Sequence, residues 1–347
     1  MWLSRQSTHA GTTESGGMRA CVIEQPGADG YLRQAQLPVP AIAADEVLVR
    51  VSHAGVNRAD LLQKRGQYNA PEGDSPILGL EVSGIIAQVG AQVIGWSVDE
   101  PVVALTNGGG YAEYVAVPAS QVLALPRRLS PAQGASLPEA LATAAMALLM
   151  EAQLTRGDRV LIHGGASGVG VMMVQIARAL GGTVFATASS HEKHDLIRRM
   201  GATPLSYDTE GFADSARAAM GGKGVNVIVD TLGGPYIAHH MKLLEARGRM
   251  VSIAVLEGSK ATVSAASVLM KHITWSGATL RNRTRPEKAA IMELVRKQLW
   301  PLVASGMVEP VVDSVFPLED AEKAHERMEN RLNSGKIVLE VLLETKA

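Results

Sequence analysis

Arg159-Val-Leu-Ile-His-Gly-Gly-Ala-Ser-Gly-Val-Gly170 carries the strongest structural signal in this chain: an apolar strand, a glycine-rich turn and a helix that starts near Ser167. Glycines let the backbone approach a ligand closely, and the free N–H groups and dipole at the start of a helix attract negative charge. Counted from Gly165, the GxGxxG pattern would require a glycine at Ser167, so the match is imperfect. The flanking strand and helix nevertheless predict a pyrophosphate site. We expect its contacts at Gly164, Ala166, Ser167, Gly168, Val169 and Gly170.

The composition is that of a globular protein with a small-molecule ligand. With 347 residues the chain exceeds the usual size of one hydrophobic core, which predicts two domains. A net charge of -1 does not favour nucleic acid or an anionic membrane surface, and no apolar run is long enough to span a bilayer. The single cysteine, Cys21, excludes an intramolecular disulfide framework and a thiolate-rich zinc site, and it fits a reducing cytoplasm.

The pattern of the chain changes near residue 140. Residues 1–17 are polar and small and lack the hydrophobic core of a signal peptide, which predicts a disordered leader. Short valine-rich runs up to about residue 137 predict a mostly-β, barrel-like domain. The remainder alternates between strands and helices, as in a doubly wound parallel sheet, so the fold class is α/β.

The individual elements follow from the same patterns. In the first part we predict strands over 46–52, 81–87 and 111–117. In the second part we predict a helix over 142–151 and strands over 159–163, 183–188, 204–207, 225–230, 249–254 and 273–279. In the tail we predict helices over 286–304 and 318–331 and strands near 311–316 and over 336–342.

The end of the strand over 183–188 indicates which dinucleotide binds. A free ribose 2′-hydroxyl is usually recognised by an acidic residue about 20 positions after the glycines. This strand instead ends in Ser189 and Ser190, followed by Lys193, which suit a 2′-phosphate. NADPH is therefore predicted over NADH. The alternative is that Ser189 only caps the next helix, with Ser190 beside it, and that Lys193 is solvated.

The chain resembles the zinc-independent quinone oxidoreductases of the medium-chain dehydrogenase/reductase superfamily over nearly its whole length. Within this family, its sequence motifs most resemble those of the subgroup typified by the tumour-suppressor-inducible quinone oxidoreductase. The matching segments are Gly55-Val-Asn-Arg-Ala-Asp-Leu-Leu-Gln-Lys-Arg-Gly-Gln-Tyr68, Ile77-Leu-Gly-Leu-Glu-Val-Ser-Gly84, Gly108-Gly-Gly-Tyr-Ala-Glu-Tyr114, Leu137-Pro-Glu-Ala140, the turn at 163–170, Ser276-Gly-Ala-Thr-Leu-Arg-Asn-Arg283 and Gly335-Lys-Ile-Val-Leu339.

The resemblance implies an architecture and an assembly. It implies a GroES-like catalytic domain over 18–140 and 281–347, with a Rossmann NADPH-binding domain over 141–280 inserted between the two parts. It also implies a homodimer or homotetramer, with dimers joined through the nucleotide-domain sheets.

Two residues argue against a catalytic zinc. Alcohol dehydrogenases of this superfamily bind zinc through a cysteine and a Gly-His-Glu histidine, and here Asn57 and Leu80 stand at those positions. Leucine cannot bind a metal, and one cysteine cannot supply a four-cysteine structural site. We therefore predict no metal. An acceptor that needs no Lewis acid fits best, either a quinone or an alkene conjugated to a carbonyl.

By resemblance, Asn57 and Tyr68 face the nicotinamide and the substrate cleft. Asn57 would donate a hydrogen bond to a substrate carbonyl and accept one from the carboxamide or ribose. Tyr68 would donate a hydrogen bond or a proton to oxygen as negative charge develops there. The alternative is that Asn57 only caps a helix over 58–64 and that Tyr68 packs at the end of that helix.

Other positions are assigned by resemblance with a structural alternative for each. Thr143 corresponds to a threonine near the nicotinamide, or it bonds its own helix backbone. Tyr207 matches an aromatic residue beside the adenosine 2′-phosphate, or it is a surface tyrosine whose hydroxyl has a partner. Asn333 resembles a tail residue that reaches the cofactor, or it forms an Asn-Ser-Gly turn. Arg281 and Arg283 are expected to contact the cofactor or shape the cleft, unless they are ordinary surface arginines.

Three functions fit these residues. The first is NADPH-dependent reduction of quinones by hydride or one-electron transfer. The second is reduction of alkenals or enones with the same cofactor. The third is non-catalytic NADPH binding, as in the lens crystallins related to this family.

Overall fold

Fifteen strands in three sheets are found in residues 17–27, 30–207 and 210–341, which are the residues that the computed structural model describes. Of the predicted leader, residues 1–16 lie outside this range. Gly17 is the first residue of a strand and pairs with Pro38. The two strands of this hairpin are β1 (Gly17–Glu24) and β2 (Tyr31–Pro38).

The second part of the chain folds around a six-stranded parallel sheet. Its strand order is β10-β9-β8-β11-β12-β13. Starting from β8, the chain first adds β9 and β10 on one side and then returns to add β11, β12 and β13 on the other side, as in dinucleotide-binding folds. The predicted doubly wound sheet is confirmed. Its strands are β8 (Arg159–Ile162), β9 (Thr183–Thr187), β10 (Thr203–Leu205), β11 (Val225–Asp230), β12 (Leu244–Ser252) and β13 (Thr274–Gly277).

A seven-stranded sheet contains strands from both ends of the described chain. Its order is β14-β15-β3-β4-β5-β7, with β6 paired to β3. The tail strand β15 runs antiparallel to β3, so the tail completes the mostly-β unit. The strands are β3 (Glu46–Gly55), β4 (Glu81–Val89), β5 (Pro101–Leu105), β6 (Tyr114–Pro118), β7 (Val122–Ala124), β14 (Val312–Pro317) and β15 (Lys336–Glu340).

Helices cover the parallel sheet and connect the two units. They are α1 (Arg58–Lys64), α2 (Pro131–Gly134), α3 (Pro138–Ala144), α4 (Gly168–Ala179), α5 (His191–Arg199), α6 (Phe212–Ala219), α7 (Tyr236–Leu243), α8 (Ala265–Lys271), α9 (Arg285–Leu294), α10 (Trp300–Ala304) and α11 (Ala321–Glu329). Two segments of wider π-helical turns, Ala145–Glu151 and Val295–Leu299, follow α3 and α9.

Several predicted elements have shifted boundaries. The strand predicted over 111–117 begins only at Tyr114, because Gly108 and Gly109 form a turn with positive φ and Tyr111 is buried after it. The helix predicted over 142–151 begins earlier, where a proline occupies a first-turn position that needs no N–H donor. The strand predicted over 249–254 spans Leu244–Ser252 instead.

The glycine turn touches the tail directly. The Gly335 N–H donates to the Ala166 carbonyl at 2.8 Å. A Cβ atom on Gly168 would lie 2.4 Å from Cδ of Lys336, so only glycine leaves room for the lysine stem here. The start of β15 therefore holds the turn against the mostly-β unit.

Candidate active site

Lys336, Glu81 and Asn57 form a buried polar network where the two units meet. The Lys336 ammonium forms an ion pair with the Glu81 carboxylate and donates to Asn57 Oδ1 at 2.6 Å. Asn57 Nδ2 donates to Glu81 Oε1 at 3.0 Å, and Glu81 Oε2 accepts the backbone N–H of Glu139 at 3.0 Å. Each member of the network thus has a partner, as buried polar groups require.

This network holds Asn57 differently from the sequence-based expectation. Its side-chain oxygen and nitrogen were expected to meet substrate and cofactor, but both already bind protein groups. Helix α1 does begin directly after Asn57, whose N–H donates to Asp60 Oδ2 at 2.8 Å. Asp60 also accepts the Gly79 N–H at 3.0 Å, and burial raises the pKa of this carboxyl to about 6.

Glu139 is a cleft carboxyl that the sequence reasoning did not single out. Burial raises its pKa to about 7, with the Lys336 charge opposing the rise and the Glu81 charge adding to it. Thr143 Oγ1 donates to Glu139 Oε1 at 3.2 Å, so Thr143 binds this side chain and not its own helix backbone. Oε2 of Glu139 has no hydrogen-bond partner in the described part of the chain. An acid at the start of a buried apolar helix was the signal available in the sequence.

Tyr68 and Arg281 lie together. The guanidinium carbon of Arg281 is 6.0 Å from the centre of the Tyr68 ring. Tyr68 is half-buried, and burial raises the pKa of its phenol, opposed by the charge of Arg281. Arg283 is separate from this pair, because it donates to Glu287 at 3.0 Å and to the Thr279 carbonyl at 3.2 Å along the surface of α9. The structure thus distinguishes two arginines that the sequence treated alike.

Two neighbouring hydroxyl side chains support the glycine turn through hydrogen bonds. Gly164 has a φ of +67° and donates its N–H to the hydroxyls of Thr187 and Tyr207, each at 3.1 Å. The Tyr207 ring stacks on His163, whose Nε2 lies 2.8 Å from that of His240. The Tyr207 hydroxyl, expected beside a 2′-phosphate, therefore already supports the turn.

Ser189 and Ser190, which follow β9, lie near the tail, where we expect the adenosine part of the cofactor to bind. Ser190 caps α5 by accepting the Lys193 N–H at 3.3 Å, whereas Ser189 is exposed, so the alternative of a Ser189 cap is wrong. Lys193 is not freely solvated either, since its ammonium donates to the Arg331 carbonyl at 2.6 Å. Asn333 Nδ2 donates to the Gly335 carbonyl at 2.8 Å and thus shapes its own turn.

Arg331 is a further cation at this end that the sequence reasoning missed. Burial lowers the pKa of Lys193 and raises that of Tyr207, and the charge of Arg331 is a smaller influence that acts to lower both. Only its position two residues before Asn333 could have indicated it. Lys193 and Arg331 bring two cations to this end of the cleft, one of which, Arg331, is paired with Glu257 at 3.2 Å.

These residues fit a dinucleotide. At the start of α4, Ser167 Oγ accepts one N–H, from Gly170 at 3.1 Å. The remaining first-turn N–H groups have no partner within the helix and are available to a phosphate. A Cβ atom on Gly170 would lie 2.1 Å from the Gly164 carbonyl oxygen, so the close packing of helix on turn requires glycine.

Comparisons with known proteins agree with this architecture. Residues 43–127 match the model of the alcohol dehydrogenase GroES-like domain, and residues 168–297 match that of the zinc-binding dehydrogenases. The quinone oxidoreductase of Sus scrofa is 31% identical over 315 residues, which cover 88% of this chain and 92% of that protein. The quinone oxidoreductase of Rattus norvegicus is 31% identical over 329 residues, with 94% and 98% covered.

Solved structures are similar over the same extent. A mycobacterial protein complexed with NADPH has a TM-score of 0.82 and 30% identity, covering 93% of this chain and 100% of that one. The CurK enoyl reductase has a TM-score of 0.81 and 27% identity, with 93% and 99% covered. Within the described ranges, no helix is both long and apolar enough to cross a membrane.

The buried network generates a prediction about stability. Lys336→Met leaves the Glu81 carboxylate buried without its cation, and we expect a loss of about 3–5 kcal/mol in the free energy of unfolding. Adding Glu81→Gln removes that charge, so the double variant should recover about 2 kcal/mol relative to the sum of the single variants. Urea unfolding of the wild type and the three variants measures both quantities. Additive effects would show that the two side chains are not coupled.

Proposed function

The chain belongs to the medium-chain dehydrogenase/reductase superfamily of oxidoreductases, and on that premise we propose that it reduces quinones with NADPH and without zinc. The observation that carries the proposal is the state of the residues at the expected zinc position. Leu80 is buried and apolar, and the oxygens of Asn57 and Glu81 face the Lys336 ammonium. A divalent cation would have to displace that ammonium to reach them.

The rest of the donor set agrees. In residues 17–27, 30–207 and 210–341, no three His, Cys, Asp or Glu side chains come together as a metal-binding group. Without a Lewis acid, a simple ketone or aldehyde would lack the polarisation that makes it a good hydride acceptor. A quinone has less need of it, because its reduced form spreads the negative charge over an aromatic ring.

The chemistry of the proposed reaction is a hydride transfer followed by protonation. NADPH, when bound, supplies the hydride. The quinone gains this hydride, which is one proton with two electrons, and a second proton then completes the hydroquinone. Glu139 is suited to hold that proton, because a carboxyl with a pKa of about 7 is about half protonated at neutral pH. Tyr68 is the second side chain that we assign as a proton donor in the cleft.

The assignment of NADPH rests on charge. Ser189, Ser190, Lys193 and Arg331 surround the end of β9, and none of them is acidic. Two cations favour a 2′-phosphate, whereas a free 2′-hydroxyl is usually held by a carboxylate. Gly164, Ala166, Ser167, Gly168, Val169 and Gly170 would hold the pyrophosphate, with Thr143 nearer the nicotinamide and Asn333 reaching the cofactor from the tail.

Reduction of an enone or alkenal is the second candidate. The likeness to the CurK enoyl reductase favours it, as does a carboxyl that is partly protonated at neutral pH, since an enolate must receive a proton at carbon. Non-catalytic NADPH binding is the third reading, and it requires that no acceptor be reduced.

We also propose a homodimer in the cytoplasm. The edge strand β13 is largely exposed, and Trp275 on it has 47% of its surface accessible. An exposed strand edge that carries a large apolar side chain is suited to pairing with a second copy. A homotetramer would require a further surface.

The charge at the adenosine end predicts cofactor preference. NADPH should bind at least tenfold more tightly than NADH in a fluorescence titration, because the 2′-phosphate meets two cations. Lys193→Ala should weaken NADPH binding by about tenfold and leave NADH binding unchanged. Lys297→Ala, which removes a surface lysine paired with Glu293, is the matched control. Equal dissociation constants for the two cofactors in the wild type would contradict the assignment.

An acceptor panel tests the proposed reaction. Oxidation of NADPH is followed with an ortho-quinone, a para-quinone, a 2-alkenal and a simple aldehyde at saturating cofactor. We expect turnover with quinones and none with the aldehyde, because no Lewis acid polarises an isolated carbonyl. Faster turnover with the alkenal than with either quinone would favour the second candidate. No oxidation with any acceptor would favour non-catalytic binding.

A further inference from the structure

Arg281 is a buried guanidinium without a hydrogen-bond partner. Only 4% of its surface is exposed, and its Nε, Nη1 and Nη2 atoms find no acceptor in the described part of the chain. A guanidinium has five N–H donors, and leaving them unpaired away from water costs free energy. Ordinary buried arginines are paired, so this one has the character of a binding group whose acceptor comes from a ligand.

The neighbouring carboxylates do not fill this role. Asp60 attracts the Arg281 charge, but its oxygens accept the N–H groups of Asn57 and Gly79 and no N–H of the guanidinium. Asp74 attracts it as well, and the nearest cation to that carboxylate is Lys288, at 4.0 Å. The charge of Arg281 is thus partly balanced while its donors remain free.

Arg281 lies beside the place that we propose for the reaction. It lies four residues after Gly277, the last residue of β13, beyond the carboxyl edge of the parallel sheet, where ligands of such folds bind. Its guanidinium lies against the Tyr68 ring, on the side of the cleft formed by the mostly-β unit. A ligand placed between the nicotinamide site and Tyr68 would therefore meet the guanidinium.

We propose that Arg281 binds the acceptor oxygen that becomes negatively charged on hydride transfer. This inference rests on the proposed function. When the acceptor takes up the hydride, two electrons enter its conjugated system and one carbonyl oxygen becomes an oxyanion. The fork of N–H donors pairs with that oxyanion until a proton completes the hydroquinone or the enol. The ground-state carbonyl, being neutral, is bound more weakly than the oxyanion.

Turnover of Arg281 variants is the first arm of the test. Arg281→Met should lower kcat for NADPH oxidation by a quinone about 100-fold or more, as removal of an oxyanion donor does, with the NADPH dissociation constant within about twofold. Because the variant removes an unpaired buried charge, its thermal unfolding temperature should not fall. Arg281→Lys keeps the charge without the fork and should be intermediate. Arg198→Gln, at the surface ion pair with Asp195, is the matched control and should be unchanged.

The second arm does not depend on turnover. The probe is 4-nitrophenol, whose phenolate absorbs visible light, added to protein saturated with NADP⁺. The guanidinium should favour the phenolate, so the bound probe should ionise at a pKa at least one unit lower than free probe, and Arg281→Met should abolish the shift. If the wild type reduces no acceptor but shifts the probe, the proposed function fails and the oxyanion site stands.

Three results overturn the inference itself. The first is unchanged kcat in Arg281→Met. The second is a loss that is explained by weaker NADPH binding, which would assign the arginine to the cofactor. The third is an unshifted probe in the wild type.

Discussion

The buried ion pair of Lys336 with Glu81 is the interaction on which the site depends. Lys336 is the first residue of the tail strand β15. Its ammonium contacts Glu81, the first residue of β4, and Asn57, which precedes α1. The stem of the same lysine passes over Gly168 in the phosphate turn. One side chain therefore fixes the tail, the mostly-β unit and the start of α4 relative to one another. Removing one charge of such a pair is costly because the other remains buried.

The same pair determines the chemistry available in the cleft. With an ammonium facing the oxygens of Asn57 and Glu81, the site already contains its cation, and Leu80 completes an apolar wall. The nearby Glu139 holds a proton near neutrality because burial disfavours its charged form. These charged side chains lie where the resemblance to alcohol dehydrogenases would place a zinc ion, and under the proposed function they suit an acceptor whose reduced form is already stabilised by conjugation.

Features formed by contiguous residues could be predicted from the sequence, whereas contacts between residues far apart in the chain could not. The apolar strand, the glycine turn and the helix at 159–170 are contiguous, so the parallel sheet could be derived from them. The state of Asn57 could not, because its amide is held by Lys336, 279 positions away. Arg281 and Arg283 have the same chemistry in the sequence, and only packing buries one and leaves the other in a surface pair. The cap of α5 is Ser190 and not Ser189, although the two serines are adjacent and have the same chemistry in the sequence.

Metal content measured together with turnover tests the central claim that side-chain charges, and not zinc, organise this cleft. Protein expressed in zinc-supplemented medium is analysed by inductively coupled plasma mass spectrometry, and NADPH-dependent quinone reduction is measured before and after dialysis against a chelator. The account predicts zinc far below one ion per chain and the same turnover in both samples. One zinc ion per chain, with turnover lost on its removal and restored on its return, would contradict it.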